Sequence, residues 1–120
     1  MSYRELIDSE GGFTFNPINH TIPKSGYIVS LDSSFTRQYR LDTFGDDAVA
    51  DYLTAPFVRS WLENKNFYIG GWVHEGFVWL DISEQFDDLE IASDVGARRN
   101  QIAIWDVVNA CEIFTGGTGD

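Results

Sequence analysis

The chain has 120 residues, 43% of them hydrophobic and 15% aromatic, enough for one self-sufficient core and too apolar along its length for an extended disordered segment. Nineteen acids against eight bases leave a formal charge of −11, which repels phosphate backbones and excludes direct nucleic-acid binding through a basic surface. No apolar run approaches the length of a membrane span or a signal-peptide core, and the single cysteine, Cys111, can form neither an internal disulfide nor a paired zinc site, so the composition predicts a cytoplasmic protein without a cofactor.

Between Phe13 and Asp32, the turn signals Asn16-Pro17 and Pro23-Lys24-Ser25-Gly26 set off residues 27–31 as a strand. Residues 35–41 have a mixed pattern compatible with an extension of the sheet. Residues 46–62 carry Val49, Tyr52, Leu53, Phe57, Trp61 and Leu62 as one helical stripe. Pro56 removes a backbone donor and disfavours helical geometry at Ala55, so this region divides into two short helices, with Thr54 as a candidate cap of the second.

Residues 67–73 and 77–83 are β-prone runs around Glu75-Gly76, the pattern of an antiparallel hairpin. A two-residue turn there places Trp72 opposite Trp79. Gly70-Gly71 lacks the lysine of a phosphate loop and is read as a bulge or a close approach beneath the tryptophans. Asp87-Asp88-Leu89-Glu90 resembles an acidic capping box, with Asp87 as a candidate cap, and opens a helix that runs towards Arg98 and Arg99. A last hairpin spans residues 101–107 and 111–114 around Asn109-Ala110, and the glycine-rich residues 116–120 form a flexible tail. The expected fold is α+β: a single compact domain over residues 1–115, with an antiparallel sheet of hairpins packed with two helical regions.

Gly12-Phe13-Thr14, Ser25-Gly26-Tyr27-Ile28-Val29-Ser30, Gly70-Gly71-Trp72, Trp79-Leu80-Asp81-Ile82-Ser83 and Asn100-Gln101-Ile102-Ala103-Ile104-Trp105-Asp106 together resemble small uncharacterised accessory proteins of actinobacterial bacteriophages and integrative mobile elements. The resemblance covers roughly residues 12–30 and 70–106, and it implies a role in host takeover or evasion of bacterial defence without supplying a catalytic residue.

A thiol and imidazole pair from Cys111 with His20 or His74 would suit nucleophilic catalysis, but no nucleophile elbow or oxyanion motif surrounds the cysteine. Asp81, Glu84, Asp87, Asp88, Glu90 and Asp94 form an acid-rich stretch without the spacing of a calcium loop, and are read mainly as solvated acids. No catalytic or metal-ligating set is therefore expected. The binding candidates are Trp72, His74, Glu75, Trp79, Glu84, Asp88 and Asp94. Compact size, the charge of −11, the lack of a catalytic signature and the resemblance to phage and mobile-element proteins together lead to the expectation of a monomer or small homo-oligomer that inhibits a host protein, an anti-CRISPR or anti-restriction inhibitor whose acidic surface competes for a basic nucleic-acid-binding groove. The alternatives are a small enzyme acting on a host factor or signalling nucleotide, and a virion or assembly protein. A deep pocket with convergent polar groups favours the enzyme, whereas a shallow acidic and aromatic surface favours the binder.

Overall fold

In the computed structural model, which describes residues 2–119, β5 (Phe77–Phe86) organises one antiparallel sheet. Its first half pairs with β3 (Arg37–Arg40) and its second half with β2 (Tyr27–Ser30), while β4 (Phe67–His74) runs along its other side. Beyond β4 lies β1 (Gly12–Phe15), and beyond β2 lie β6 (Ala103–Asp106) and β7 (Cys111–Phe114), giving the order β1-β4-β5-β2-β6-β7. The α+β expectation is met by this sheet and by four helices among the described residues: α1 (Tyr3–Glu10), α2 (Asp46–Tyr52), α3 (Pro56–Leu62) and α4 (Leu89–Arg98). No helix among the described residues is long and apolar enough to cross a membrane.

Alternation along β5 decides which face the helices cover. Val78, Leu80 and Ile82 are buried against Ile7, Val49, Tyr52, Val58 and Leu62 from α1, α2 and α3. On the same face, Val29 and Ile104 pack with Ala92 of α4. The side chains between these positions project to the opposite face, which carries no helix.

Local signals explain most boundaries. Glu75 and Gly76 have φ of 51° and 81°, the two left-handed residues of a type I′ hairpin turn, and the turn sets the register Trp72↔Trp79. Pro56 opens α3 after an extended Ala55, so the helical region splits as expected. Thr54 does not cap α3; its hydroxyl donates instead to the Asp51 carbonyl at 2.6 Å. The cap of α4 is Asp88 rather than Asp87, for the Asp88 carboxylate accepts the Ile91 N–H at 3.0 Å.

Helix α1 is an addition to the expected elements, although Ser2 and Glu5 spell its capping box: the Ser2 hydroxyl accepts from the Glu5 N–H and the Glu5 carboxylate from the Ser2 N–H. Buried Asn16 ties the loop after β1 to the core. Its amide donates to the Leu62 and Phe67 carbonyls at 2.6 and 2.8 Å, and its oxygen accepts from the Ile18 and Asn19 N–H groups. In the tail, the Gly117 and Gly119 N–H groups donate to the Gln101 and Asn100 carbonyls at 3.0 and 2.8 Å, while Asp120 lies outside the described residues.

Candidate functional site: a cleft on the helix-free face

Strand register builds the site row by row. Gly12, Trp72 and Trp79 lie side by side across β1, β4 and β5; Thr14, Gly70 and Asp81 form the next row; Tyr68, Ser83 and Ser30 form the third across β4, β5 and β2. All point away from the helices. Ile28 and Trp105 continue this face onto β2 and β6, with Ala103 on β6 beside them.

Strands β1 and β6 are separated by three others, yet Gly12 and Thr14 line the same cleft as Ala103 and Trp105. The sheet is therefore curled, with the helix-free face concave. The cleft has a volume of about 910 Å³, within the range of small-ligand sites. Its lining is uneven in chemistry: the indoles of Trp72, Trp79 and Trp105 and the aliphatic Ile28, Leu31, Ile102 and Ile104 are joined by glycine, serine and threonine and by one buried carboxyl.

The carboxyl is that of Asp81, only 3% exposed. Gly70 opposite it supplies the room, because a Cβ there would meet Asp81 Oδ1 at 2.5 Å. Gly70-Gly71 is thus a close approach without a bulge, and at Gly71 the neighbour is the Phe13 ring. Burial pushes the Asp81 carboxyl up to about 7, although the Ser30 hydroxyl and the Gly70 N–H donate to it and favour its charged form. Two residues along β5, Ser83 Oγ is buried without a hydrogen-bond partner among the described residues. A buried hydroxyl beside a buried carboxyl is a polar floor with unmet hydrogen-bonding capacity.

At the mouth, the Trp72 and Trp79 rings stack with centroids 6.5 Å apart and planes inclined by 14°, and Trp72 remains 40% exposed. Trp79 Nε1 donates to the His74 carbonyl at 3.4 Å. Trp105 is also exposed, and Phe114, opposite Ala103, extends the aromatic surface beyond the cleft. Glu10 and Glu112 are the charged lining residues besides Asp81, and neither lysine, arginine nor histidine lines the cleft.

The structure distributes the sequence-derived candidates over two faces. Trp72 and Trp79 border the cleft, and His74 and Glu75 sit exposed at the adjoining turn, 3.6 Å apart. Glu84, Asp88 and Asp94 lie with α4 instead: Glu84 pairs with Arg99 at 2.7 Å, Asp88 caps the helix, and Asp94 pairs with Arg98 at 3.0 Å. The six acids from Asp81 to Asp94 consequently do not present one solvated surface, since Asp81 is buried on the opposite side of the sheet from α4. Cys111 is exposed on β7, His20 occupies the loop after β1, and no group of three or more His, Cys, Asp or Glu side chains among the described residues is arranged to hold a metal. Ser30, Ser83 and Trp105 enter the site only through the fold. The hairpin register carried a signal for Ser83 and Asp81 alone: followed from Trp72↔Trp79 along the two strands, it sets Gly70 against Asp81 and then Tyr68 against Ser83. No family model, curated protein or solved structure matches the chain, so the reading of this cleft rests on its own residues.

Proposed function

We propose that this chain is a protein of a bacteriophage or integrative element that acts in the cytoplasm of its bacterial host, where it binds and inhibits a host protein through the helix-free face of its sheet. The observation that carries this reading is an open concave face bordered by the exposed rings of Trp72 and Trp105, with Phe114 on the same face. Exposed aromatic side chains around a concavity are the groups that dominate protein interfaces. The charge of −11 steers the protein towards a basic surface, which favours a nucleic-acid-handling defence protein as target and inhibition by occupation of its groove. The resemblance of residues 12–30 and 70–106 to phage and mobile-element accessory proteins supports that origin.

The test is affinity capture from host lysate, identification by mass spectrometry, and measurement of binding to the purified target. A Trp105→Asp protein that remains folded should lose most of the affinity. Undiminished binding by Trp105→Asp and by Trp72→Asp would remove the helix-free face as the contact. A second reading, a small enzyme using Asp81 as general acid or base, is favoured by the depth at which this carboxyl lies in the cleft. Its sign would be turnover of a host metabolite that stops in a folded Asp81→Asn protein.

A further inference from the structure

The concave face differs from an ordinary aromatic interface patch in its floor. Asp81 sits at the bottom of a cleft that has indole rings on its walls and further acids, Glu10 and Glu112, in its lining, and no cationic side chain reaches in to neutralise them. Such a cavity is hostile to anions. Indole faces attract cations through the ring quadrupole, and a carboxylate in a poorly hydrated site attracts them more strongly than one in water.

We infer that this cleft is a receptor for a lysine side chain presented by the protein partner, with the ammonium group seated between Asp81 and Ser83 and the methylene stem lying along the tryptophan walls. The inference rests on the proposed binding role of the helix-free face and names its recognition chemistry. Three observations select an ammonium. Ser83 Oγ is buried and unpartnered, and a hydroxyl next to a carboxyl gives two acceptors for a group that carries three N–H donors and no acceptor. Part of the accepting capacity of Asp81 is taken by Ser30 and Gly70, which leaves little for the two parallel bonds that a planar guanidinium makes with a free carboxylate. The residues flanking Asp81 are small, with Thr14 and Gly70 in its own row and Ser30 in the next, so a narrow unbranched chain can reach it past the rings.

Occupation also resolves the cost of the buried carboxyl. In the free protein Asp81 holds its proton at mildly acidic pH, because burial outweighs the Ser30 and Gly70 hydrogen bonds. An arriving ammonium favours the carboxylate, and the proton leaves as the ion pair forms. Lysine itself stays charged well above neutrality. The other titratable groups around Asp81 are Glu10 and Glu112 in the lining of the cleft and Tyr52 among the helices, whose hydroxyl Asp81 helps to push up. An Asp81→Asn protein separates the contribution of Asp81 from theirs.

The experiment uses the full chain and a short peptide, acetylated and amidated at its ends, with one central lysine, followed by calorimetry and tryptophan fluorescence. The lysine peptide should bind about tenfold more weakly at pH 6 than at pH 8, as expected for a site whose carboxyl must first lose its proton near pH 7. Acetylating the lysine Nε should abolish binding, and the arginine peptide should bind more weakly. Asp81→Asn should lower affinity at least tenfold and erase the pH dependence, and Ser83→Ala should lower it severalfold while leaving the pH dependence in place. Equal binding of the acetylated and free lysine peptides would overturn the inference, as would unchanged affinity in both variants. Spermidine binding more tightly than the peptide would overturn the choice of a protein side chain and assign the cleft to free polyamines. If the captured host protein binds wild type and Asp81→Asn equally, the lysine receptor fails and the binding face stands; if lysine peptides bind as described and Trp105→Asp leaves host-protein binding intact, the reverse holds.

Discussion

Replacing Asp81 by Asn should make the protein more stable at alkaline pH, and the gain should vanish in acid. In the unfolded chain this carboxyl titrates at the ordinary value of 3.8, whereas burial raises it to about 7 in the folded protein. Between these values the unfolded chain has released the proton and the folded chain retains it. The unfolded state then binds fewer protons, so the stability attributable to Asp81 falls as pH rises through this window. Each unit of separation corresponds to about 1.4 kcal/mol, which gives a loss of about 4 kcal/mol between roughly pH 4 and pH 7 to 8. Asp32 and Asp106 are held low, mainly by hydrogen bonds from Ser34 and Asn109, and oppose this trend; both are present in the variant as well, so their effect cancels in the comparison. Urea unfolding followed by tryptophan fluorescence at intervals across that range gives the difference directly. A constant difference between wild type and Asp81→Asn from about pH 4 to pH 8 would mean that Asp81 is hydrated in solution and that the closed floor of the cleft is wrong.

The fold was largely legible because each local rule in the sequence points the same way. Glu75-Gly76 determines the hairpin, Pro56 divides the helical region, and the alternation through Val78, Leu80 and Ile82 marks a buried face. The short helix α1 escaped because its eight residues carry little apolar periodicity, with Ile7 alone fully buried, and the capping pair Ser2 and Glu5 had to be read by itself. The site was less legible for a different reason. Asp81 belongs by sequence to a run of acids and by register to a floor of glycine and serine, and proximity along the chain suggested the first. Trp105 reaches the cleft only because the sheet curls, a long-range property that alternation within one strand does not encode. Conversely, Glu84 looked free until α4 folded back over the sheet and brought Arg99 to it, whereas Asp94 pairs with Arg98 one turn on within α4 itself.

Asn16→Ala should destabilise the protein by about 2 to 4 kcal/mol, since it strips partners from the Leu62 and Phe67 carbonyls together, and chemical denaturation will measure it. Trp72→Ala should cost less than the about 3 to 5 kcal/mol of a core tryptophan, because the ring is 40% exposed, and it should abolish the far-ultraviolet exciton signal of its stack with Trp79. Gly70→Ala tests the floor of the cleft directly. The added methyl would stand 2.5 Å from Asp81 Oδ1, a distance that forces the carboxyl or strand β4 to move. Overpacking of this kind costs about 1 to 3 kcal/mol, yet in an Asp81→Ala background the offending oxygen is gone and the same substitution should cost a few tenths of that. A double-mutant cycle will show this as a coupling of about 1 kcal/mol or more. Additive effects would mean that Gly70 is required by its own backbone and that Asp81 points elsewhere, which would separate the carboxyl from the cleft.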